Sequence, residues 1–377
     1  MPTFAELLHP FPVDRFMSEH LGRKPLHLPA AGNASRALID WAGFNVLLNQ
    51  TSSWTSQNLK LVMNSEPIPE DQYCSTVQTQ SGPSHRPQPA RVEVLLSAGA
   101  SLVGNDVQWR TSALSAVTEM LGRTFAASVG ANAYCSFGGV QAFASHYDAH
   151  DVFAIHMEGE KTWRLYANQE DTPVTMPPGD PRAAFEARRG ALMQEIRMKP
   201  GDLLYLPRGW YHDALADGDR SSASLHISFS VTPLYGRILF TLLERAAMTD
   251  PAFRTYFPPA EKDGGRALAD HLEDLGRRLA VLSKHPALVS ELAQMQHALT
   301  PRPASYELPA RKPLTLYQRT AVAAPVFHGP VAIAMHWMFD QQRFALEDLL
   351  AQFDGIPVEA LRAGVARAEQ AGAIRRL

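Results

Sequence analysis

The stretch His146-Tyr-Asp-Ala-His-Asp-Val-Phe-Ala-Ile-His-Met-Glu-Gly-Glu-Lys-Thr-Trp-Arg-Leu-Tyr166 decides how this chain is read. Val152 to Met157 is an apolar, partly β-branched run of strand length. Glu158-Gly159-Glu160 supplies a turn, and Lys161 to Tyr166 alternates polar and apolar residues, as the second arm of a hairpin should. Just upstream, His146 and Asp148 stand at i and i+2. On a strand those positions point to one face, so an imidazole and a carboxylate can reach a single ion from the same side. A second histidine from a distant strand would complete a two-histidine, one-carboxylate triad, which leaves neighbouring positions open on Fe(II).

Two histidines compete for that third place. His212 follows the Pro207-Arg-Gly209 turn, which ends one strand and aims the next residues back into a barrel. His226 lies within Ser224-Leu-His-Ile-Ser228, in mid-strand. His212 is preferred. His150 and His156 lie too near the first pair to come from a separate strand, and a hydrogen-bonded core histidine is the ordinary account of His156 and His226. Lys161 matters for a different reason: a cation projecting into a barrel is costly unless an anion meets it. The distal carboxylate of 2-oxoglutarate would serve, whereas a solvated hairpin lysine needs no partner.

Outward from this hairpin, residues from about 126 to 234 read as short strands with Gly/Pro turns. They include Asn132 to Phe137, Leu203 to Leu206 and Ser224 to Val231. That pattern predicts a mainly β catalytic domain, a β-sandwich or barrel of the double-sheet jelly-roll kind. Residues 1 to about 125 mix helical and extended patterns. Ser81 to Pro89, with three prolines, reads as a loop. Ser112 is the expected N-cap of a helix carrying Leu114, Val117 and Leu121 and stopping at Gly122. Beyond Pro233 the pattern turns helical. Leu268, Leu272, Leu275, Leu279 and Leu282 share one helix face, read first as an intramolecular core and otherwise as a dimer seam. Pro301 to Pro313 is expected to be a linker, and Leu346 to Arg375 has the helix, turn, helix, strand outline of a winged helix.

Composition sets the bounds. The chain has 377 residues, 35 Lys+Arg against 38 Asp+Glu, 14 His and 2 Cys. It is long enough for two or three domains, and a 45% hydrophobic, 19% charged make-up is ordinary for a globular protein. Cys74 and Cys135 cannot alone form a disulfide framework or a thiolate zinc site. The formal charge of −3 offers no chain-wide nucleic-acid or membrane surface. From Asp340 to Leu377 five arginines face six acidic residues, so the expected winged helix has no basic DNA footprint. No signal-peptide pattern opens the chain, and the apolar window Ala321–Phe339 is broken by Pro325, Gly329 and Pro330. A cytoplasmic location is expected.

With these residues assembled, the 146–166 stretch resembles the metal-binding hairpin of JmjC oxygenases, and most of all the ribosomal oxygenase branch. Gly201-Asp-Leu-Leu-Tyr-Leu-Pro-Arg-Gly-Trp-Tyr-His212 resembles that family's second iron motif. The resemblance implies three regions: a JmjC catalytic domain over 1–234, a helical dimerisation region over 235–305 and a winged-helix-like domain over 306–377. It implies Fe(II) on His146, Asp148 and His212, with Lys161 on the carboxylate of the cosubstrate 2-oxoglutarate. Asn132, Tyr134, His226 and Ser228 would line the cosubstrate pocket, with His150, Asp151 and Trp210 on the substrate side. The activity implied is hydroxylation of an Arg or His side chain of a ribosomal protein, by a homodimer that binds neither DNA nor membrane. Hydroxylation of a free amino acid or small peptide, histone-type demethylation, and a non-catalytic cupin or winged-helix binding protein are the alternatives.

Overall fold

Alternation along the central strands sorts this molecule into a packed side and a polar side. The computed structural model describes residues 2–139, 141–177, 182–216, 222–299 and 313–377. Its strands are β1 (Leu26–Leu28), β2 (Leu59–Met63), β3 (Glu66–Pro67), β4 (Cys74–Thr79), β5 (Gly82–Pro87), β6 (Ser101–Gly104), β7 (Ala127–Phe137) and β8 (Asp151–Glu158). There follow β9 (Lys161–Gln169), β10 (Leu192–Met198), β11 (Leu203–Leu206), β12 (Trp210–Ala216), β13 (Ala223–Pro233), β14 (Leu316–Arg319), β15 (Arg343–Ala345) and β16 (Ile374–Arg376). Eight of them form one sheet in the order β1-β11-β8-β13-β7-β6-β2-β3, and β10-β9-β12 form a second.

On the large sheet one parity is apolar. Ala133 and Cys135 of β7, Phe153 and Ile155 of β8, and Ile227 and Phe229 of β13 pack in one core with Leu114, Val117 and Leu121 of the helix Ser112–Phe125. The N-terminal helices add Phe4, Leu7, Leu8 and Phe16 to that core. The other parity faces the small sheet, where Val152, Ala154, Leu204 and Leu206 meet Trp163, Leu165, Ile196 and Met198. This is a two-layer β-sandwich with helices on its outer face. Where the inner parity turns polar, at Asn132, Tyr134, His226 and Ser228, the sandwich opens into a cavity instead of closing into core.

The chain divides into two compact units at Pro233/Leu234. The second holds the helices Ile238–Ala247, Arg266–Leu282 and Pro286–Leu299, then Pro330–Asp340, Leu346–Gln352 and Val358–Gln370 beside a sheet ordered β15-β14-β16. Its own core contains Tyr317, Met335, Met338, Phe344, Leu349, Leu361 and Val365. Among the described residues no helix is long and apolar enough to cross a membrane.

Several expectations need correction. Ser81–Pro89 is not a loop: β5 pairs antiparallel with β4, and Pro83 and Pro87 are tolerated because a two-stranded ribbon has an open edge on each side. Thr111, not Ser112, caps the following helix, its hydroxyl accepting from Leu114 N at 3.1 Å, and the helix continues past Gly122 to Phe125. A helix, Arg182–Arg188, interrupts the expected series of strands. The leucine face is no intramolecular core: none of Arg266–Leu282 is buried, and Leu272 is 52% exposed. Pro301–Pro313, apart from Pro313, and the expected boundary at 305/306 lie outside the described residues.

Candidate metal centre

Two turns set the ligands in place. Gly159, at φ +68°, joins β8 to β9; a Cβ there would sit 1.9 Å from the Ala223 carbonyl oxygen, so only glycine fits. Gly209, at φ +82°, precedes β12, and a Cβ would lie 2.2 Å from the Glu170 carbonyl oxygen. Its N–H donates to the Asp148 carbonyl at 2.8 Å, which pins the segment carrying that carboxylate.

His146 and Asp148 do not lie on a regular strand, contrary to the expectation. His146 instead forms an isolated antiparallel bridge with His212, each N–H donating to the other's carbonyl, at 3.0 and 2.8 Å. Side-chain alternation survives: Tyr147 turns the opposite way and packs on Phe185 and Tyr211. One donor atom from each of His146, Asp148 and His212 falls within 4.8 Å of the others. His212 Nε2 stands 3.7 Å from Asp148 Oδ2. The Nδ1 of His146 meets the Ala144 carbonyl at 2.8 Å, and that of His212 meets the Trp210 carbonyl at 2.9 Å. A carbonyl only accepts, so both Nδ1 atoms carry the proton and both Nε2 lone pairs are free to ligate.

Electrostatics favour the same arrangement. Burial, then the neighbouring His146, pushes His212 down to about 4, which keeps it in the neutral form a metal ligates. Desolvation would raise the Asp148 carboxyl, but His146, His212 and His150 outweigh it and hold it below the usual carboxylate range. Two neutral imidazoles and a carboxylate suit a divalent first-row metal and leave its remaining positions to other ligands.

All three line one cavity of about 360 Å³ that Lys161 also lines. Lys161 is 3% exposed, and its Nζ has Ser136 Oγ at 3.4 Å. Among the described residues no carboxylate forms an ion pair with it, and burial pushes it down to about 8. An anion entering this cavity would meet a desolvated amine aimed at it. Asn132, Tyr134, His226, Ser228 and His150 line the same cavity. The His226 ring stacks on Tyr134 at 4.8 Å and on His156 at 6.4 Å, because β13 registers His226 opposite both.

Two residues expected on the substrate side stand elsewhere. The Asp151 carboxylate accepts from Tyr205 Oη at 3.0 Å and from Arg208 N at 2.9 Å, on the helix-packed face of the sheet. Trp210 does not line the cavity; its contribution is the carbonyl that orients His212. Among residues not anticipated, Trp163 and Phe143 line the cavity. Trp163 was within reach of the two-residue period, since it follows Lys161 by two on the same strand face.

Residues 107–237, which carry the three-ligand cluster, match the family model of the JmjC domain. Two curated relatives carry more specific names. The chain is 28% identical over 229 residues to the bifunctional lysine-specific demethylase and histidyl-hydroxylase NO66 of Drosophila persimilis, covering 60% of this chain and 31% of that protein. It is 28% identical over 244 residues to ribosomal oxygenase 1 of Gallus gallus, covering 64% of this chain and 39% of that one. The chain therefore spans only about a third of the length of these relatives. In fold it is similar to the Escherichia coli ribosomal oxygenase YcfD in complex with cobalt and 2-oxoglutarate, with a TM-score of 0.54, 16% identity, and coverage of 97% of this chain and 98% of that chain.

Proposed function

We propose that this protein is an Fe(II)- and 2-oxoglutarate-dependent oxygenase that hydroxylates a protein side chain, an Arg or His of a ribosomal protein. The observation that carries the reading is the shared cavity: three candidate ligands cluster in it, and Lys161, buried with no carboxylate partner among the described residues, lines it too. The names of the relatives, and the cobalt and 2-oxoglutarate held by YcfD, support the same chemistry and substrate class.

In this reading His146, Asp148 and His212 hold Fe(II), and Lys161 pairs with the distal carboxylate of 2-oxoglutarate. Bound together, iron and 2-oxoglutarate would let dioxygen deliver one oxygen atom to a C–H bond, giving C–OH, and the other to 2-oxoglutarate, which would leave as succinate and carbon dioxide. The protein's part is to bind and aim. The two Nδ1–H donors lock the imidazoles, Lys161 sets the depth at which the keto acid rests, and the Tyr134–His226–Trp163 wall excludes water from it. His150 lines the cavity beside the metal ligands and is assigned to the substrate side. The second unit is read as a helical dimerisation region followed by a winged-helix-like module that does not bind DNA. Its support is the helix, strand and sheet order, together with the unburied leucine face. The enzyme is placed in the cytoplasm as a homodimer.

His146→Ala and Asp148→Ala are expected to abolish Fe(II)-dependent succinate formation from 2-oxoglutarate with the circular dichroism spectrum unchanged. Undiminished succinate in either variant would falsify the metal assignment. For the substrate, intact-mass comparison of ribosomal proteins from wild-type and deletion cells should reveal one protein lighter by a single oxygen atom in the deletion. Identical masses throughout would remove the ribosomal target.

A further inference from the structure

Behind the metal ligands, on the opposite face of the same two segments, lies a buried charge cluster that the chemistry above does not use. Asp213, 2% exposed, follows His212, and Ser145, 1% exposed, precedes His146. Across the antiparallel bridge these two are the next facing pair. Ser145 Oγ donates to Asp213 Oδ2 at 2.6 Å. Tyr166 Oη donates to the same oxygen at 2.6 Å, and Arg164 Nε pairs with Oδ1 at 2.8 Å. Arg189 Nη1 stands 3.7 Å from Oδ2, donates to Tyr166 Oη at 2.8 Å and also reaches Ser145 Oγ.

A carboxylate with this burial is expensive, and two hydroxyls on Oδ2 together with the charges of two arginines offset that cost. Core stability alone gives no reason for such a group here, because apolar residues of similar volume commonly do as well. What is particular is the place. The segment carrying His146 belongs to no regular strand and is joined to β12 by isolated bridges, Gln141 with Leu215 and His146 with His212, rather than by a continuous ladder. Isolated bridges and the Gly209 N–H on the Asp148 carbonyl fix the backbone at points, so the ligand separation depends also on what the side chains between those points grip. The Ser145–Asp213 contact is a side-chain attachment one residue from the His146–His212 bridge, made to a carboxylate that β9 holds through Arg164 and Tyr166.

We infer that Asp213 is a positioning residue: with Arg164 and Arg189 it clamps Ser145, and so presets the His146–His212 separation before a metal arrives. This rests on the metal-centre reading above and adds to it the device that keeps the site preorganised.

The test is Co(II) titration of the metal-free full-length protein, followed by visible absorption of the bound ion, alongside thermal unfolding of the same metal-free samples. Ser145→Ala removes the clamp contact, whereas Tyr166→Phe removes a hydrogen bond of the same length to the same oxygen and leaves the Ser145–Asp213 bond itself in place. Both should lower the melting temperature by similar amounts. Ser145→Ala should weaken Co(II) binding about tenfold and alter the visible band, whereas Tyr166→Phe should bind as wild type. Asp213→Asn should follow Ser145→Ala. Wild-type affinity and spectrum in Ser145→Ala would overturn the inference, as would an equal loss in Tyr166→Phe, which would mark the cluster as general packing. Wild-type protein that takes up no Co(II) would overturn the metal reading itself, so the two failures are told apart.

Discussion

At the scale of single residues, Lys161 shows how a binding site draws on the stability of its scaffold. Burial lowers its pKa from 10.5 to about 8, so at neutral pH the fold carries a desolvated cation. The free protein bears this cost in full below pH 8 and sheds it between about 8 and 10.5, where the folded amine is already neutral but the unfolded one is still protonated. Lys161→Met should therefore stabilise the ligand-free protein at neutral pH by about 3 kcal/mol, the worth of such a shift. Its advantage over wild type should shrink as the pH rises through that window. The same substitution should sharply weaken 2-oxoglutarate binding. Thermal unfolding as a function of pH and a cosubstrate titration check both; a variant no more stable than wild type would show that the amine is not desolvated in solution. The imidazoles behind it fit the same logic. Burial, and then Lys161, push His156 down to about 4, and His226 lies well below its ordinary value, so both stay neutral beside the cation and do not compete with it for an anion.

At the scale of elements, two features transmit sequence into site geometry. The Pro207-Arg208-Gly209 turn sends β12 back into the sandwich and holds Asp148 through the Gly209 N–H. Gly209→Ala forces a Cβ against the Glu170 carbonyl in a left-handed backbone, which should cost about 1–3 kcal/mol. It should also weaken metal uptake disproportionately, because Asp148 moves with the turn. Unfolding and Co(II) titration of that variant measure the two effects separately. The second feature is the helix Arg266–Leu282, whose leucines run along one face, none of them fully buried inside the chain and Leu272 exposed. The homodimer proposed above takes that face as its seam. Leu272→Glu with Leu279→Glu should yield a monomer in analytical ultracentrifugation with the β-sandwich intact, and a monomeric wild-type protein would remove the proposal.

For the whole molecule, the organising fact is that each unit encloses its own core, one around the β-sandwich and one around Tyr317, Met335 and Phe344. Separate cores predict calorimetric unfolding in more than one step. Fe(II) or Co(II) with 2-oxoglutarate should then raise only the transition that contains the metal centre. A hundredfold excess over the dissociation constant corresponds to about 2.7 kcal/mol. A single transition shifting as a whole would show instead that the two units unfold together.

The sequence by itself indicated most of the sandwich strands, their turns and the candidate ligands. Period-two alternation, Gly159 and Gly209, and the placement of His146, Asp148, His212 and Lys161 are local properties, written in neighbouring residues. It misread Ser81–Pro89, because a proline-rich ribbon with open edges looks like a loop until its partner strand is known. It also put Asp151 beside the substrate, because spacing does not say which side of the sheet a carboxylate's partners occupy. Only the tertiary structure brought Ser145, Arg164 and Arg189 onto Asp213, four residues from four separate stretches of chain. Only it joined His146 to His212 by a bridge outside any regular strand. The physical reason is one of range. Ligand chemistry and backbone period act over a few residues, whereas the separation between ligands depends on contacts that exist only once the sheets have closed.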